Sequence, residues 1–428
     1  MTNQQLIERR RKALGPAYSH FYDKPLHLVK GQGVWMWDDQ GKRYLDCYNN
    51  VASVGHCHPH VVEALCGQAR TLNTHTRYLH ENVVGFAETL ASKMPGELSV
   101  CMPVCTGTEA NDLAVQIARV ATGRHGCIVA EHSYHGNSTL VHDLSTSERF
   151  GDPDPDWLAT VEPPDTYRGP FREGENDLGA KYAGLVSKSI QKLEARGHQL
   201  AVFMVESAWE NQGIMQAPQD YLNHAAAFVR DAGGLVVADE VQSGYCRMGA
   251  HWWGFEHYDI IPDIVTLGKP MGNGHPLGAV VTTPAIVEKF AERYEYFNTF
   301  GGNPVSAAVG QAVIEVIDNE NLLANATEVG AYLEGQLQEL ADRYDMIGEL
   351  RGRGLFWGLD LVSDPDTREP ISKEELRRIT TDAAKQGTLV ATMGRYGNVM
   401  KIRPPLVFSR DNADHLINAL DTVFARAN

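Results

Sequence analysis

Two side chains thirty positions apart, Asp239 and Lys269, decide which chemistry this chain can support. The apolar run Leu235–Ala238 ends on Asp239. The run Ile264–Leu267 is followed, after Gly268, by Lys269. Short apolar runs bounded by turn residues read as buried strands, and in parallel α/β sheets ligands collect at the carboxyl ends of the strands. A carboxylate and a lysine at two such ends are costly to bury unless they pair or hold something between them. A salt bridge at the sheet edge is one solution. Pyridoxal phosphate is another: its pyridinium nitrogen needs an anionic partner and its aldehyde needs a lysine for a Schiff base. Gly268 and the Gly272-Asn273-Gly274 turn favour the second, because they let backbone approach a ligand closely. Gln242, three residues past Asp239, is placed to reach a substituent of the ring.

Further pieces point the same way. Thr106-Gly107-Thr108-Glu109 lies between an expected strand and an expected helix. Free amides at a helix N-terminus, with a glycine and hydroxyls, make a phosphate cradle, although the same residues also make a plain helix cap. Tyr134 in Ser133-Tyr134-His135-Gly136 follows another strand end, where its ring can lie on a flat ligand. Glu206 ends a third. The cations Lys24, Arg77 and Arg403 are candidates to hold an anionic substrate, since charged forked donors suit phosphate, and Asn50 in the small, polar Tyr48–Pro59 loop is a further substrate candidate.

These motifs carry a resemblance. DEVQSG (239–244) followed by TLGKPMGNGHP (266–276) resembles the cofactor region of the class III, omega-type aminotransferases, which are fold-type I pyridoxal phosphate enzymes. PDIVTLGKPMGNGHP, with LNTHTRYLHEN (72–82) and EYFNTFGG (295–302), is most similar to the ethanolamine-phosphate phospho-lyase branch. The resemblance runs from about Leu14 to the last helix. It implies Lys269 as the cofactor lysine, Asp239 as partner of the ring nitrogen, and Gly107, Thr108, Tyr134, Glu206 and Gln242 as further cofactor residues. The family's asparagine, serine, glycine, serine stands here as Cys105-Thr106-Gly107-Thr108; the hydroxyls are kept and the amide is not. Thr299 matches a threonine that reaches the cofactor phosphate of the neighbouring subunit, which implies a homodimer with shared active sites. Arg403 lies in the strand where many aminotransferases carry an arginine for a substrate carboxylate and where the phospho-lyase relative tends to lysine.

The implied activity is elimination of phosphate from O-phosphoethanolamine to give acetaldehyde, ammonia and phosphate. Lys269 would remove a proton from the carbon bearing nitrogen while Asp239 keeps the ring nitrogen protonated. An omega-aminotransferase using pyruvate or 2-oxoglutarate shares every cofactor residue and is the alternative. A lyase for aminoalkyl phosphonates and a non-catalytic pyridoxal-binding protein stand further off.

Composition bounds the rest. At 428 residues the chain is long enough for two cores. Its net charge of −16 argues against nucleic acid and anionic membrane as partners, so any phosphate site has to gather positive charge locally. Seven cysteines without a CxxC pair suggest neither a disulfide framework nor a zinc ribbon. His56-Cys57-His58 is too tightly spaced for convergence on one metal ion. A basic N-terminus with no apolar h-region, and the lack of a spanning apolar run, give a cytoplasmic expectation.

The positioning elements follow from periodicity. A helix is expected near 4–14, a strand pair near 27–47 turning at Asp38–Gly41, and helices near 60–73 and 81–94. Strand and helix then alternate through 98–283, apart from a Pro-, Asp- and Gly-rich irregular stretch at 143–179. This alternation predicts a mostly parallel, doubly wound sheet. Two long helices after Asn303-Pro304, strands at 354–362 and 399–402 and a closing helix at 410–426 predict a smaller α+β domain. The expected division is an N-terminal segment 1–60 joined to the small domain, a large cofactor-binding domain 61–305, and a C-terminal small domain 306–428.

Overall fold

A computed structural model describes residues 2–149, 151 and 153–427. The N-terminal helix Asn3–Leu14 is followed by three antiparallel strands, β1 Leu28–Gln32, β2 Trp35–Asp38 and β3 Arg43–Asp46. The expected strand pair is thus a meander, because Gly33, at φ 56, makes a second tight turn where alternation alone read as continuous strand.

Seven strands form the central sheet: β4 Val100–Val104, β5 Gly126–Ala130, β6 Leu158–Val161, β7 Leu200–Glu206, β8 Leu235–Asp239, β9 Ile264–Leu267 and β10 Gly278–Thr282. Their order is β4-β10-β9-β8-β7-β5-β6. β10 is antiparallel to both β4 and β9, and the other strand pairs of this sheet are parallel, so the mixed α/β, mostly parallel expectation holds. Buried on both faces, β7 and β8 can be apolar throughout, as LAVFMV and LVVA are. The stretch 143–179 is not wholly irregular. It contains a 3-10 turn, Thr146–Glu148, and the edge strand β6, whose four residues are masked in sequence by flanking prolines and aspartates.

Helix Gly107–Thr122 packs on this sheet through Leu113, Ala114, Ile117 and Ala118. It ends on Gly123 at φ 69, the left-handed stop that glycine allows. Beyond helices Pro304–Asn319 and Leu322–Arg343 come β11 Ile347–Arg353, β12 Phe356–Asp364, β13 Glu369–Pro370, β14 Thr388–Leu389, β15 Ala391–Met393 and β16 Val399–Ile402. The sequence pattern did not announce β11 or helix Lys373–Lys385. β14 pairs in parallel with β3, tying the first fifty residues to the C-terminal part. A buried ion network does the same for the central sheet: Arg168 bonds both oxygens of Asp360, at 2.5 and 2.7 Å, and Arg351 lies 3.2 Å from Asp360 and 3.6 Å from Asp165.

Candidate active site

The register of the sheet assembles the site. Glu206 at the end of β7 stands beside Asp239 at the end of β8, and Asp239 stands beside Thr266 of β9. Past β9 the chain turns at Gly268 into a 3-10 turn that begins with Lys269. A cavity of about 240 Å³ opens over these ends, lined by Gly107, Thr108, Tyr134, Glu206, Asp239, Gln242 and Lys269 among others. Seven of the expected cofactor residues are therefore brought together by one chain.

Asp239 is buried and held from three sides. One carboxylate oxygen accepts from Asn111 Nδ2 at 2.8 Å and contacts His135 Nδ1 at 2.7 Å; the other accepts from the Val241 amide at 3.1 Å. Buried polar groups held in this way cannot turn away from a ligand. Lys269 Nζ makes no hydrogen bond among the described residues. Burial pulls its ammonium below the usual lysine range, with Glu210 opposing and Arg403 adding to the effect. Burial and the neighbouring Glu210 and Asp239 push the Glu206 carboxyl well up. One of its oxygens accepts from the Glu210 amide at 2.7 Å and the other is buried without a partner.

Thr106 and Glu109 do form a helix cap, Thr106 accepting from the Glu109 amide at 3.1 Å and Glu109 from the Cys105 amide at 2.6 Å. The cap leaves Thr106, Gly107 and Thr108 on the cavity wall, so the two readings of this motif are compatible. The wall is built for close approach. A Cβ on Gly107 would come within 2.9 Å of Val241, and one on Gly136 within 2.7 Å of Thr108 Oγ1. Gln242 donates to Glu210 and keeps its own Oε1 buried and unpartnered at the cavity. A flat, phosphorylated pyridine suits this set: an anion for a ring nitrogen, a lysine for an aldehyde, an aromatic ring beside them, and a helix N-terminus with hydroxyls for a phosphate.

The substrate candidates fare differently. Arg403 is buried near Lys269 but does not line the cavity; it donates from Nε and Nη2 to the Tyr48 carbonyl at 3.3 Å and keeps Nη1 buried without a partner. Asn50 is buried, but its amide donates to the Gln242 carbonyl at 3.2 Å and its oxygen accepts from Arg247 at 2.9 Å. It positions the 241–242 loop and has no polar atom left for substrate. Lys24 is exposed and does not line the cavity. Arg77 and Thr299 also lie outside it. Arg77 is paired with Glu295 at 3.5 Å and covers Phe297 at 4.3 Å, and Thr299 sits two residues further along the same exposed loop. Within one chain neither lines the cavity.

Sequence reasoning passed over four contributors: Asn111 and His135, which hold Asp239, and the pair Glu210–Lys401. Lys401 is buried in β16 with its ammonium 2.5 Å from Glu210. Burial pulls it down to about 8, Glu210 opposing, while Lys401 and Arg403 hold Glu210 below the usual carboxylate range against its own burial. The signal was a lysine inside the apolar run VMKI, where an unpaired ammonium is costly.

Comparison with known proteins decides the family: residues 17–424 match the family model for "Aminotransferase class-III". The chain belongs to the class III aminotransferases. It is 43% identical to the Drosophila melanogaster protein "Alanine--glyoxylate aminotransferase 2-like", over 97% of this chain and 86% of that one. It is 37% identical to the Caenorhabditis elegans "Ethanolamine-phosphate phospho-lyase homolog 1", over 100% and 94%. A solved phospholyase from Arthrobacter in complex with phosphoethanolamine superimposes with a TM-score of 0.94 at 41% identity, covering 98% of this chain and 99% of that one. The fold is therefore fold-type I, and the cofactor is pyridoxal phosphate. Among the described residues no helix is long and apolar enough to cross a membrane.

Proposed function

We propose that this class III enzyme is a phospho-lyase that converts O-phosphoethanolamine, or a close amino-alkyl phosphate, and water into acetaldehyde, ammonia and phosphate. The observation that carries this reading is the pair of buried cations, Lys401 and Arg403, beside Lys269. In a chain of net charge −16 they place two positive charges behind the cavity wall, one of them offset by Glu210. Arg403 Nη1 is a buried donor waiting for an acceptor, and leaving such a donor unmade is expensive. The phosphoethanolamine bound to the Arthrobacter relative supports the same substrate class.

The bound cofactor supplies an electron sink. Asp239, fixed by His135 and Asn111, keeps the ring nitrogen protonated. Lys269, its basicity lowered by burial, takes the proton from the carbon bearing nitrogen. The bond from the neighbouring carbon to oxygen then breaks, and the electron pair leaves on phosphate, whose charge Lys401 and Arg403 hold. Cations placed where charge develops favour this step over return of the proton to the cofactor.

The reading includes a symmetric dimer. Tyr78, Leu79, Phe297 and Phe300 are exposed large apolar side chains on the segments that carry Arg77 and Thr299. A second copy covering them would bring Arg77 and Thr299 to the partner's cavity. An aminotransferase is the second reading, favoured by the aminotransferase name of the 43% identical Drosophila relative; Arg403 would then meet a carboxylate.

The test is phosphate release from O-phosphoethanolamine by purified, cofactor-loaded protein without a keto acid. Release matched by acetaldehyde is expected. No release, with amine transfer once pyruvate is added, would establish the aminotransferase instead.

A further inference from the structure

The two buried cations have a cavity on their far side. A groove of about 490 Å³ runs between the helix Asn3–Leu14 and the β1–β2 hairpin, with Ile7, Phe21, Tyr22, Leu26 and Met36 in its walls. Neither Lys401 nor Arg403 lines this groove, but Tyr48 does. The Tyr48 ring has Lys401 Nζ 5.0 Å from its centre and the Arg403 guanidinium 5.7 Å from it. The edge contact with Phe21, at 4.9 Å, lies towards the groove. One aromatic ring thus stands between the two buried cations and the groove under the N-terminal helix.

The partition is held in place. Asp46, fully buried at the end of β3, accepts from the Tyr48 amide at 3.0 Å and the Asn49 amide at 2.9 Å, and its other oxygen lies 2.6 Å from His56 Nε2. Arg403 donates twice to the Tyr48 carbonyl. The backbone is therefore clamped from both sides, and an aromatic ring has few rotamers to lose. The phenol hydroxyl makes no hydrogen bond among the described residues, so the ring, not the hydroxyl, carries the contact with its surroundings.

We infer that Tyr48 is a specificity-determining residue that sets the length of substrate the pocket accepts. The ring stands just beyond Lys401 and Arg403, so on this reading a two-carbon amino phosphate reaches from Lys269 to the cations without passing it. In a longer ω-amino phosphate the phosphate has to pass the ring. Without the ring the cations face the groove, whose wall carries a further cation, Arg10, bonded to the Tyr18 carbonyl at 2.9 Å. The inference rests on the proposed phosphate site and adds its far boundary.

The experiment titrates cofactor-loaded protein with 2-aminoethyl, 3-aminopropyl and 5-aminopentyl phosphate, reading the change in cofactor absorbance as a dissociation constant. Wild type is expected to prefer the two-carbon over the five-carbon compound by about tenfold or more, the scale on which pockets reject extra methylenes. Tyr48→Phe keeps the ring and keeps that ratio. Tyr48→Ala brings the ratio to about one or inverts it. Should Tyr48→Ala fail to fold, Tyr48→Leu, which keeps apolar bulk without a ring, is expected to move the ratio in the same direction. An unchanged ratio in every folded ringless variant, or a wild type indifferent to length, overturns the inference. Failure of the phospho-lyase reading looks different: no phosphate is released from 2-aminoethyl phosphate, whatever the binding ratios are.

Discussion

Replacing Lys401 with methionine separates its pairing with Glu210 from the proposed hold on substrate phosphate. The Lys401 side chain is 8% exposed and that of its partner Glu210 4% exposed, and the charged atoms are 2.5 Å apart. Breaking a buried pair by removing one partner leaves an uncompensated charge and costs about 3–5 kcal/mol. Lys401→Met should therefore lower the unfolding midpoint clearly, with Arg403 and Gln242 offsetting part of the loss. Lys401→Met with Glu210→Gln removes both charges and should recover most of the midpoint, since an absent pair is far cheaper than a broken one.

Substrate binding should not recover with it. A hydrogen bond to a charged group is worth about 1.5–3 kcal/mol, so losing the Lys401–phosphate contact should raise KM for O-phosphoethanolamine about ten- to one-hundred-fold. The double variant should keep that higher KM at near-native stability. The assay is phosphate release against substrate concentration, beside a thermal melt of the same preparations. If the double variant regains both midpoint and KM, Lys401 serves Glu210 alone and the phosphate site lies elsewhere.

The same lysine gives a pH signature. Burial pulls Lys401 down to about 8, so it is charged below that pH and neutral above it. KM for the phosphate substrate should be flat from pH 7 to about 8 and then rise as the proton is lost, and Lys401→Met should lack this limb. Asp239→Asn removes a charge worth about 4 kcal/mol to a ring nitrogen ~4 Å away at an effective dielectric of 20. Turnover should drop by about three orders of magnitude, measured beside the cofactor dissociation constant. Gly136→Ala places a methyl 2.7 Å from Thr108 Oγ1 at a φ of 142°, where non-glycine residues are strained. Cofactor affinity, read by fluorescence titration of the apoprotein, should weaken about tenfold or more.

What could be read from the sequence follows from where the chain places its charges. LVVAD and IVTLGK were legible because a parallel strand buried on both faces is an apolar run, and a charge just past such a run is at the strand end where ligands sit. β6 escaped notice because Leu158–Val161 is short and its prolines and aspartates belong to the loops on either side. β11 was hidden for a different reason. Its run IGELRGR carries charges among few apolar residues, and Arg351 is buried only through ion contacts with Asp360 on the neighbouring strand and Asp165 far back in the chain.

The same physics divides the site. Asp239 and Lys269 announce themselves locally. Lys401 becomes meaningful only when Glu210, 191 positions away, closes on it. Asn50 illustrates the reverse: its residue type suggested substrate contact, and the fold uses its amide to hold Val241 and Gln242 in place. Arg77 and Thr299 lie outside the cavity of their own chain. Residues that act through their own strand end are therefore visible in one dimension, and residues that act through a pairing are visible only once the pairing is formed. The proposed phosphate contacts, Lys401 and Arg403, belong to the second kind, and the motifs that identify the cofactor are shared by lyase and aminotransferase alike.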